Sequence, residues 1–315
     1  TSERQDFVDT MRGTLAALGM TEELSFSFTS ETALDKLCVP MDSHLRRAIP
    51  IMNPLTDEYP LVRTTLLTSI LENAARNVAR KNLDLRLFDI APVFFPKALP
   101  LTELAEEKLK AAGLLTGRRS PVAWDTDNTV VDFYDAKGVL ERFLTVIGVQ
   151  KYTVERGEHF AMHPGKTAFF KKGRDVIAVL GEIHPTVAAN FGIGQNVYVF
   201  EMDAETLLRY RRKRSTIKPL PKYPASARDL AILVDADLTT AEIERVIAKK
   251  GGKYFRHATL FDIYAGKQVG EGKKSMAFHL HFQSDDKTLT DEEVDAAFAA
   301  ILQAVEEQLH AQLRG

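Results

Sequence analysis

Residues 209–224, RYRRKRSTIKPLPKYP, restrict the possible folds of this chain more than any other stretch. They contain Arg209, Arg211, Arg212, Lys213, Arg214, Lys218 and Lys222 without a single acid, and they close on Pro219, Pro221 and Pro224. Such a segment has no apolar stripe to bury, and its prolines lack the N–H that helix interiors and central strands need. It reads as an extended connector, so a chain of 315 residues interrupted in this way divides into two domains. The expected boundaries are 1–208 for the first domain, 209–221 for the linker and 222–315 for the second. The charges suit a solvated connector, or a strap lying against a phosphate backbone.

Elsewhere the totals mostly exclude. A formal net charge of -2 gives no global sign of a nucleic-acid binder, so any basic surface must be local. Cys38 is the only cysteine, which rules out an intrachain disulfide and a cysteine-based zinc site and fits a reducing cytoplasm. The sequence has no apolar run long enough to span a membrane. It opens on Thr1 and enters a helix-like segment at once, as expected of a piece of a longer polypeptide.

In the first domain, Ser2 with Gln5 forms a capping-box pattern, and Phe7, Met11, Leu15 and Leu18 follow at helical spacing before Gly19. Leu24, Phe26 and Phe28 alternate with polar residues, which predicts a strand. A second helix is predicted from about Val62 to Lys81, with Leu66, Ile70, Ala74 and Val78 along one stripe. LDLRLFDIAPVFF, VLGEIHP and VYVFEMD read as further strands.

The second domain is more regular. RDLAILVD alternates as a strand, Thr239 or Thr240 caps the helix AEIERVIAKK, and Gly251-Gly252 ends it. YFRHATLFDIY and KKSMAFHLHFQ are strands joined by GKQVGEG. A helix follows Thr290, with acids in its first turn and Val294, Phe298, Ile301, Val305 and Leu309 on one face. With a short last strand at the terminus, strand-helix-strand-strand-helix is the split βαβ, ferredoxin-like order. It leaves a four-stranded sheet with one face covered by helices and the other open.

The loop before KKSMAFHLHF resembles a phosphate-binding loop, and an NTPase or hydrolase using residues 266–275 is one alternative. The spacing argues against it. Gly266 to Gly272 contains one residue too many, Lys274 stands where Ser or Thr is needed, and a strand rather than a helix follows. A glycine-bearing hairpin loop accounts for the pattern. His279 and His281 share one strand face without a third metal ligand. His163 and His184 lie in turn-like contexts and complete no nucleophile or metal set; Glu182 with His184 is at most a weak acid/base pair.

The faces of the hairpin say more. Strict alternation puts Phe261 and Ile263 on one side of the first strand, and Leu260, Asp262 and Tyr264 on the other. On the second strand Phe278, Leu280 and Phe282 belong to the core, leaving Ser275, Ala277, His279 and His281 opposite. Pairing then brings Asp262, Tyr264 and Ser275 together near the loop, with Lys273 and Lys274 close by. A ring, a carboxylate, a hydroxyl and cations are the groups that stack, hydrogen-bond and neutralise single-stranded RNA. A surface tyrosine with ordinary neighbours is the competing interpretation, and a stand-alone RNA-binding module is a second alternative function.

At this point a resemblance enters. KYPASARDLAILVD, LFDIYAGKQVGEGKKSMAFHLHFQSDDKTLTDEEV and the final QLRG resemble the ferredoxin-fold anticodon-binding domain of the β subunits of bacterial phenylalanine-tRNA synthetases. NPLTDEYPLVRTTLLTSILENAARN, RLFDIAPVFF, HPGKTAFF and VLGEIHP resemble the class II synthetase-like domain of the same family. The resemblance implies an α+β chain: a class II aminoacyl-tRNA synthetase-like antiparallel sheet with flanking helices, then a ferredoxin-like domain. It implies a catalytically silent first domain, with Phe95 where a class II enzyme carries the ATP-holding arginine of its second motif. Glu201 and Thr206 stand where the glycine and arginine of the third motif would be. By resemblance the helix from Arg4 to Leu18 is the class II dimerisation element, contributing to a helix bundle. The implied partners are a catalytic α subunit, in an (αβ)2 heterotetramer, and tRNA(Phe), with no membrane and no DNA; the implied location is the cytoplasm. ATP and Mg2+ would serve the whole complex, with no cofactor and no metal bound by this chain. The family's anticodon contacts fall on Asp262, Tyr264 and Ser275, with Lys274 placed to offset phosphate.

Overall fold

A computed structural model of the chain describes residues 2–212 and 220–314. Lys213, Arg214 and Lys218 of the basic stretch lie outside the described residues. The chain forms two compact units, Thr1–Ser215 and Thr216–Gly315.

In the first unit, α1 (Glu3–Ala17) begins where the Ser2 hydroxyl accepts the Gln5 N–H at 3.2 Å. Phe7, Met11 and Leu15 turn into the core, and Gly19, at φ 81, supplies the left-handed residue that ends the helix. There follow β1 (Thr21–Glu22), β2 (Phe28–Thr29), α2 (Glu31–Lys36), β3 (Ile49–Pro50), β4 (Leu61–Val62) and α3 (Leu67–Ala79). The unit continues through β5 (Leu85–Phe95), β6 (Glu106–Thr116), α4 (Phe133–Val146), β7 (Thr153–Arg156), β8 (Met162–Lys172) and β9 (Asp175–Ile183). It closes with α5 (Pro185–Asn190), β10 (Val197–Asp203) and α6 (Ala204–Tyr210).

One sheet of order β1-β5-β6-β10-β9-β8-β7 carries this unit, antiparallel except for the β1–β5 pair; β2, β4 and β3 form a small second sheet. Side-chain alternation divides the large sheet between two cores. On β10, Tyr198, Phe200 and Met202 join α1 and α4, whereas Val197 and Val199 face the core built around α2, α3 and α5. Gly113 on β6 sits directly opposite Phe200, and a Cβ at Gly113 would overlap that ring. Burial on both sheet faces is what makes β5 and β10 read as nearly continuous apolar runs.

Two sequence expectations fail in this unit for one reason. Leu24 and Phe26 do not lie in a strand, and they are 94% and 78% exposed. Their polar neighbours point inward instead. The buried Arg63 guanidinium donates to the Ser25 hydroxyl at 2.6 Å, to the Phe26 carbonyl at 3.1 Å and to the Pro92 carbonyl at 2.9 Å. Ser25 in turn donates to Asp89, whose carboxylate lies 3.7 Å from Arg63, and Asn73 donates to Glu23. A buried charge must be hydrogen-bonded, so this network fixes the 23–27 segment and inverts the alternation expected of a strand. The predicted second helix likewise begins only at Leu67, because Leu61–Val62 pair as β4 and Arg63, Thr64 and Thr65 supply buried polar contacts. Its Leu66, Ile70 and Ala74 stripe is buried, as the spacing predicts.

The second unit contains β11 (Ser226–Asp235), α7 (Thr240–Lys250), β12 (Phe255–Tyr264), β13 (Lys273–Phe282), α8 (Asp291–Leu309) and β14 (Gln312–Leu313). Thr239 and Thr290 each make a full capping box, with Glu242 and Glu293. The antiparallel sheet has the order β12-β13-β11-β14. Leu230, Ile232 and Val234 meet Phe278 and Leu280, with Ile243, Ile247, Val294, Ile301 and Val305 of the two helices, in a single core. Both helices thus cover one face of the sheet, and the ferredoxin-like order read from the sequence is present.

Burial pushes the Glu23 carboxyl up to about 7, against a relief from the Asn73 hydrogen bond. Below its ordinary value of 4.5 both folded and unfolded states hold the proton. As pH rises toward about 7 the unfolded chain releases its proton first, so this group's contribution to stability falls over that window. Glu23→Gln is expected to flatten that fall and to stabilise the protein at pH 8 by on the order of 2–3 kcal/mol. Urea unfolding at pH 4.5 and 8 measures it. An unchanged pH slope in the variant would contradict the assignment.

Candidate nucleic-acid interface

The β12–β13 hairpin positions the sequence-predicted residues. Its loop turns on Gly270 and Gly272, at φ 84 and φ 73, a region that glycine enters without the cost other residues incur. Lys273 extends to Asp235 at 2.6 Å, and Lys274 donates to the carbonyls of Ala236 at 3.0 Å and Leu238 at 2.5 Å. The segment after the loop is strand β13, so no helix N-terminus faces the lysines and the phosphate-loop alternative loses its geometric basis.

Register then decides which side chains share a face. Thr259 pairs with His279 and Leu260 with Phe278, but Asp262 pairs with Ala277 and Tyr264 with Ser275. The shift between Leu260 and Asp262 is a β-bulge that inserts Phe261. It corrects the strict alternation predicted from sequence. Leu260 packs against the core, whereas Phe261 lies on the open face with its ring 3.9 Å from that of His279. Beyond the bulge the expected parity returns: Ile263 opposes Met276, and Asp262 and Tyr264 stand with Ala277 and Ser275.

Asp262, Tyr264 and Ser275 therefore come together on the open face, but Lys274 does not join them. It opposes Val234, a core residue, and its ammonium is tied to the turn after β11. Asp262 is exposed and Tyr264 is 38% exposed, while Ser275 is only 5% exposed, flanked by Tyr264 and Leu233 on adjacent strands. Gly266 lies so close to the Tyr264 ring that a Cβ there would overlap it. One residue was missed by sequence reasoning. Arg314, whose N–H donates to Ala231 at 3.0 Å, brings its guanidinium to 5.9 Å from the centre of the Tyr264 ring, within cation–π range. Its only sequence signal was its place next to the short final strand, which pairs at the far edge of the sheet.

The remaining histidine candidates are structural. His184 caps α5 by accepting the Thr186 N–H at 3.2 Å, and His163 accepts the Gly165 N–H at 3.1 Å. Glu182 bonds Lys166 at 2.6 Å and is no acid/base partner of His184 in this geometry.

In the first unit, Glu201 accepts the Leu66 N–H at 2.9 Å and the Thr65 hydroxyl at 2.8 Å, and pairs with Lys110 at 2.6 Å. Burial alone would raise its carboxyl; the Lys110 ammonium and these hydrogen bonds outweigh burial and hold it below the usual range. Phe95 packs its ring 5.6 Å from that of His44, with Lys108 over it and paired to Glu106. Thr206 lies in the first turn of α6, where its N–H donates to Asp203. A buried carboxylate, an aromatic ring and a hydroxyl do not fit a nucleoside triphosphate, whose binding calls for free cations.

Comparison with known proteins agrees with this arrangement. A family model described as the phenylalanyl tRNA synthetase beta chain CLM domain matches residues 1–204, and one described as the ferredoxin-fold anticodon binding domain matches residues 221–314. The chain is 39% identical over 309 residues to the phenylalanine--tRNA ligase beta subunit of Syntrophotalea carbinolica, covering 98% of this chain and 38% of that protein. It is 38% identical over 305 residues to the same subunit of Geobacter sulfurreducens, covering 96% and 38%. It thus spans 38% of the length of these curated relatives. Among solved structures, pyrrolysyl-tRNA synthetase from Desulfitobacterium hafniense aligns over 65% of this chain and 68% of that one, with TM-score 0.51 and 13% identity, a likeness of fold alone.

Gly266→Ala is expected to displace the Tyr264 ring while leaving the hairpin folded, because the new methyl and the ring compete for one space. NMR of the labelled tyrosines reads this directly. A Tyr264 ring signal identical in the variant would contradict the contact.

Proposed function

The chain belongs to the phenylalanine--tRNA ligase beta-subunit family, and we propose that it serves tRNA(Phe) charging by recognising the anticodon and by assembling with a catalytic α subunit. The observation that carries this proposal is the pairing of Tyr264 with Ser275, which sets an aromatic ring, the Asp262 carboxylate and a hydroxyl side by side on the sheet face opposite α7 and α8. Tyr264 stacks on an unpaired anticodon base. Asp262 accepts N–H groups from a base edge, Ser275 adds a hydroxyl to the same edge, and the Arg314 guanidinium supplies the positive charge at this site. Lys274 acts at a distance from the base, by holding the turn after β11.

The chemistry of charging, with its ATP and Mg2+, belongs to the α subunit in an (αβ)2 complex. The occupied, self-satisfied surroundings of Glu201 and Phe95 support this division. The inner stripe of α1 is spent on the unit's own core, so a partner helix meets the opposite side, which carries Gln5, Asp9, Gly13 and Ala16. The second candidate contact for α is the loop set that exposes Leu24, Phe26, Met52 and Leu55, since water-exposed apolar side chains in such numbers mark interaction surfaces. No helix among the described residues is long and apolar enough to cross a membrane.

In a ligase assembled from this chain and an α subunit, Tyr264→Ala is expected to weaken tRNA(Phe) binding by about 1–3 kcal/mol, with the rate at saturating tRNA preserved. Equilibrium binding and steady-state charging measure the two quantities. Unchanged affinity would remove Tyr264 from the site, and charging by this chain alone would refute the assignment of chemistry to α.

A further inference from the structure

The open face of the second unit carries more rings than the Tyr264 site uses. The Phe261 and His279 rings stack with centres 3.9 Å apart and planes 15° apart. Next along the same two strands, His257 and His281 stack at 4.3 Å and 17°. The His279 ring is fixed from its other side, where Nδ1 lies 2.6 Å from Asp229 on β11. Phe261 belongs to β12, an edge strand, and is 49% exposed. Half of a phenylalanine ring left in water, held flat against a pinned imidazole, is a costly arrangement unless something stacks on it.

We propose that the Phe261–His279 pair is a second base-stacking position, taking a further unpaired nucleobase of the RNA whose anticodon base lies on Tyr264. This inference rests on the anticodon reading above and extends it. Along β13, Ser275 and His279 are separated by about 13 Å at ordinary strand rise, too far for one base to serve both rings. The occupant is a base and not the phosphate backbone, because Asp229 and Asp262 flank the pair on the same face. Two carboxylates repel phosphate but accept the amino and imino N–H groups of base edges. Among the described residues no three His, Cys, Asp or Glu side chains gather as metal ligands, so the imidazoles remain free to act as rings. The β-bulge is what makes the position: counted back from Tyr264 without a register shift, strict alternation would place Phe261 on the helix-covered face.

The test uses the full chain and an anticodon stem-loop RNA carrying 2-aminopurine at one loop position at a time. Stacking on a protein ring quenches its fluorescence. Two separate loop positions are expected to be quenched on binding, one restored by Tyr264→Ala and the other by Phe261→Leu. Phe261→Leu is expected to weaken binding roughly tenfold. His279→Ala, a surface change that leaves Phe261 in place, is expected to act in the same direction at the same position. If Tyr264→Ala restores its base while Phe261→Leu and His279→Ala restore none, the second position is wrong and the anticodon reading stands. If the RNA does not bind, or no position responds to Tyr264→Ala, the anticodon reading fails and this inference with it.

Discussion

The layout of the second unit's open sheet face depends on the register between β12 and β13. One extra residue, Phe261, is accommodated between Leu260 and Asp262, and every side chain beyond it keeps its face only because that insertion occurs where it does. Before the bulge Ala258 and Leu260 pack on the core; after it, Asp262 and Tyr264 stand in the open while Ile263 opposes the core residue Met276. A flat strand would offer either a continuous core edge or a continuous outer face. The bulge gives the same strand a core contact at one end and a cluster of polar and aromatic groups at the other. The glycines of the loop then close the hairpin tightly enough for Gly266 to lie against the Tyr264 ring.

The first unit is governed by a different constraint, the cost of its buried polar groups. Arg63, Asp89 and Glu23 are buried and Glu201 is nearly so, and each makes at least one hydrogen bond or ion pair with a named partner. Glu201 ties β10 to the entry of α3, and Arg63 ties the 23–27 segment to the end of β5. The same network turns Leu24 and Phe26 outward, so a polar cluster inside creates an apolar surface outside.

Much of this was legible in the sequence, and what was not has a physical cause. Caps and helical spacing located α1, α7 and α8, because those signals act within a few residues. The convergence of Asp262, Tyr264 and Ser275 followed from alternation alone, counted outward from the loop. The same counting misassigned Leu260 and Phe261, since a bulge is invisible to a period of two. The segment around Leu24 misled for the opposite reason: its alternation is real, but a long-range network through Arg63 reverses which residues are buried. Arg314 escaped notice because its relation to Tyr264 crosses the whole width of the sheet.

The most direct test of the central claim is a double-mutant cycle between protein and RNA. Tyr264→Ala is combined with removal of single anticodon bases in tRNA(Phe), and binding to the assembled ligase is measured for all four combinations. If Tyr264 stacks on an anticodon base, its substitution and removal of that base are expected to be strongly non-additive, with a coupling of about 1 kcal/mol or more. Strict additivity at every anticodon position would contradict the account and place the RNA elsewhere on the protein.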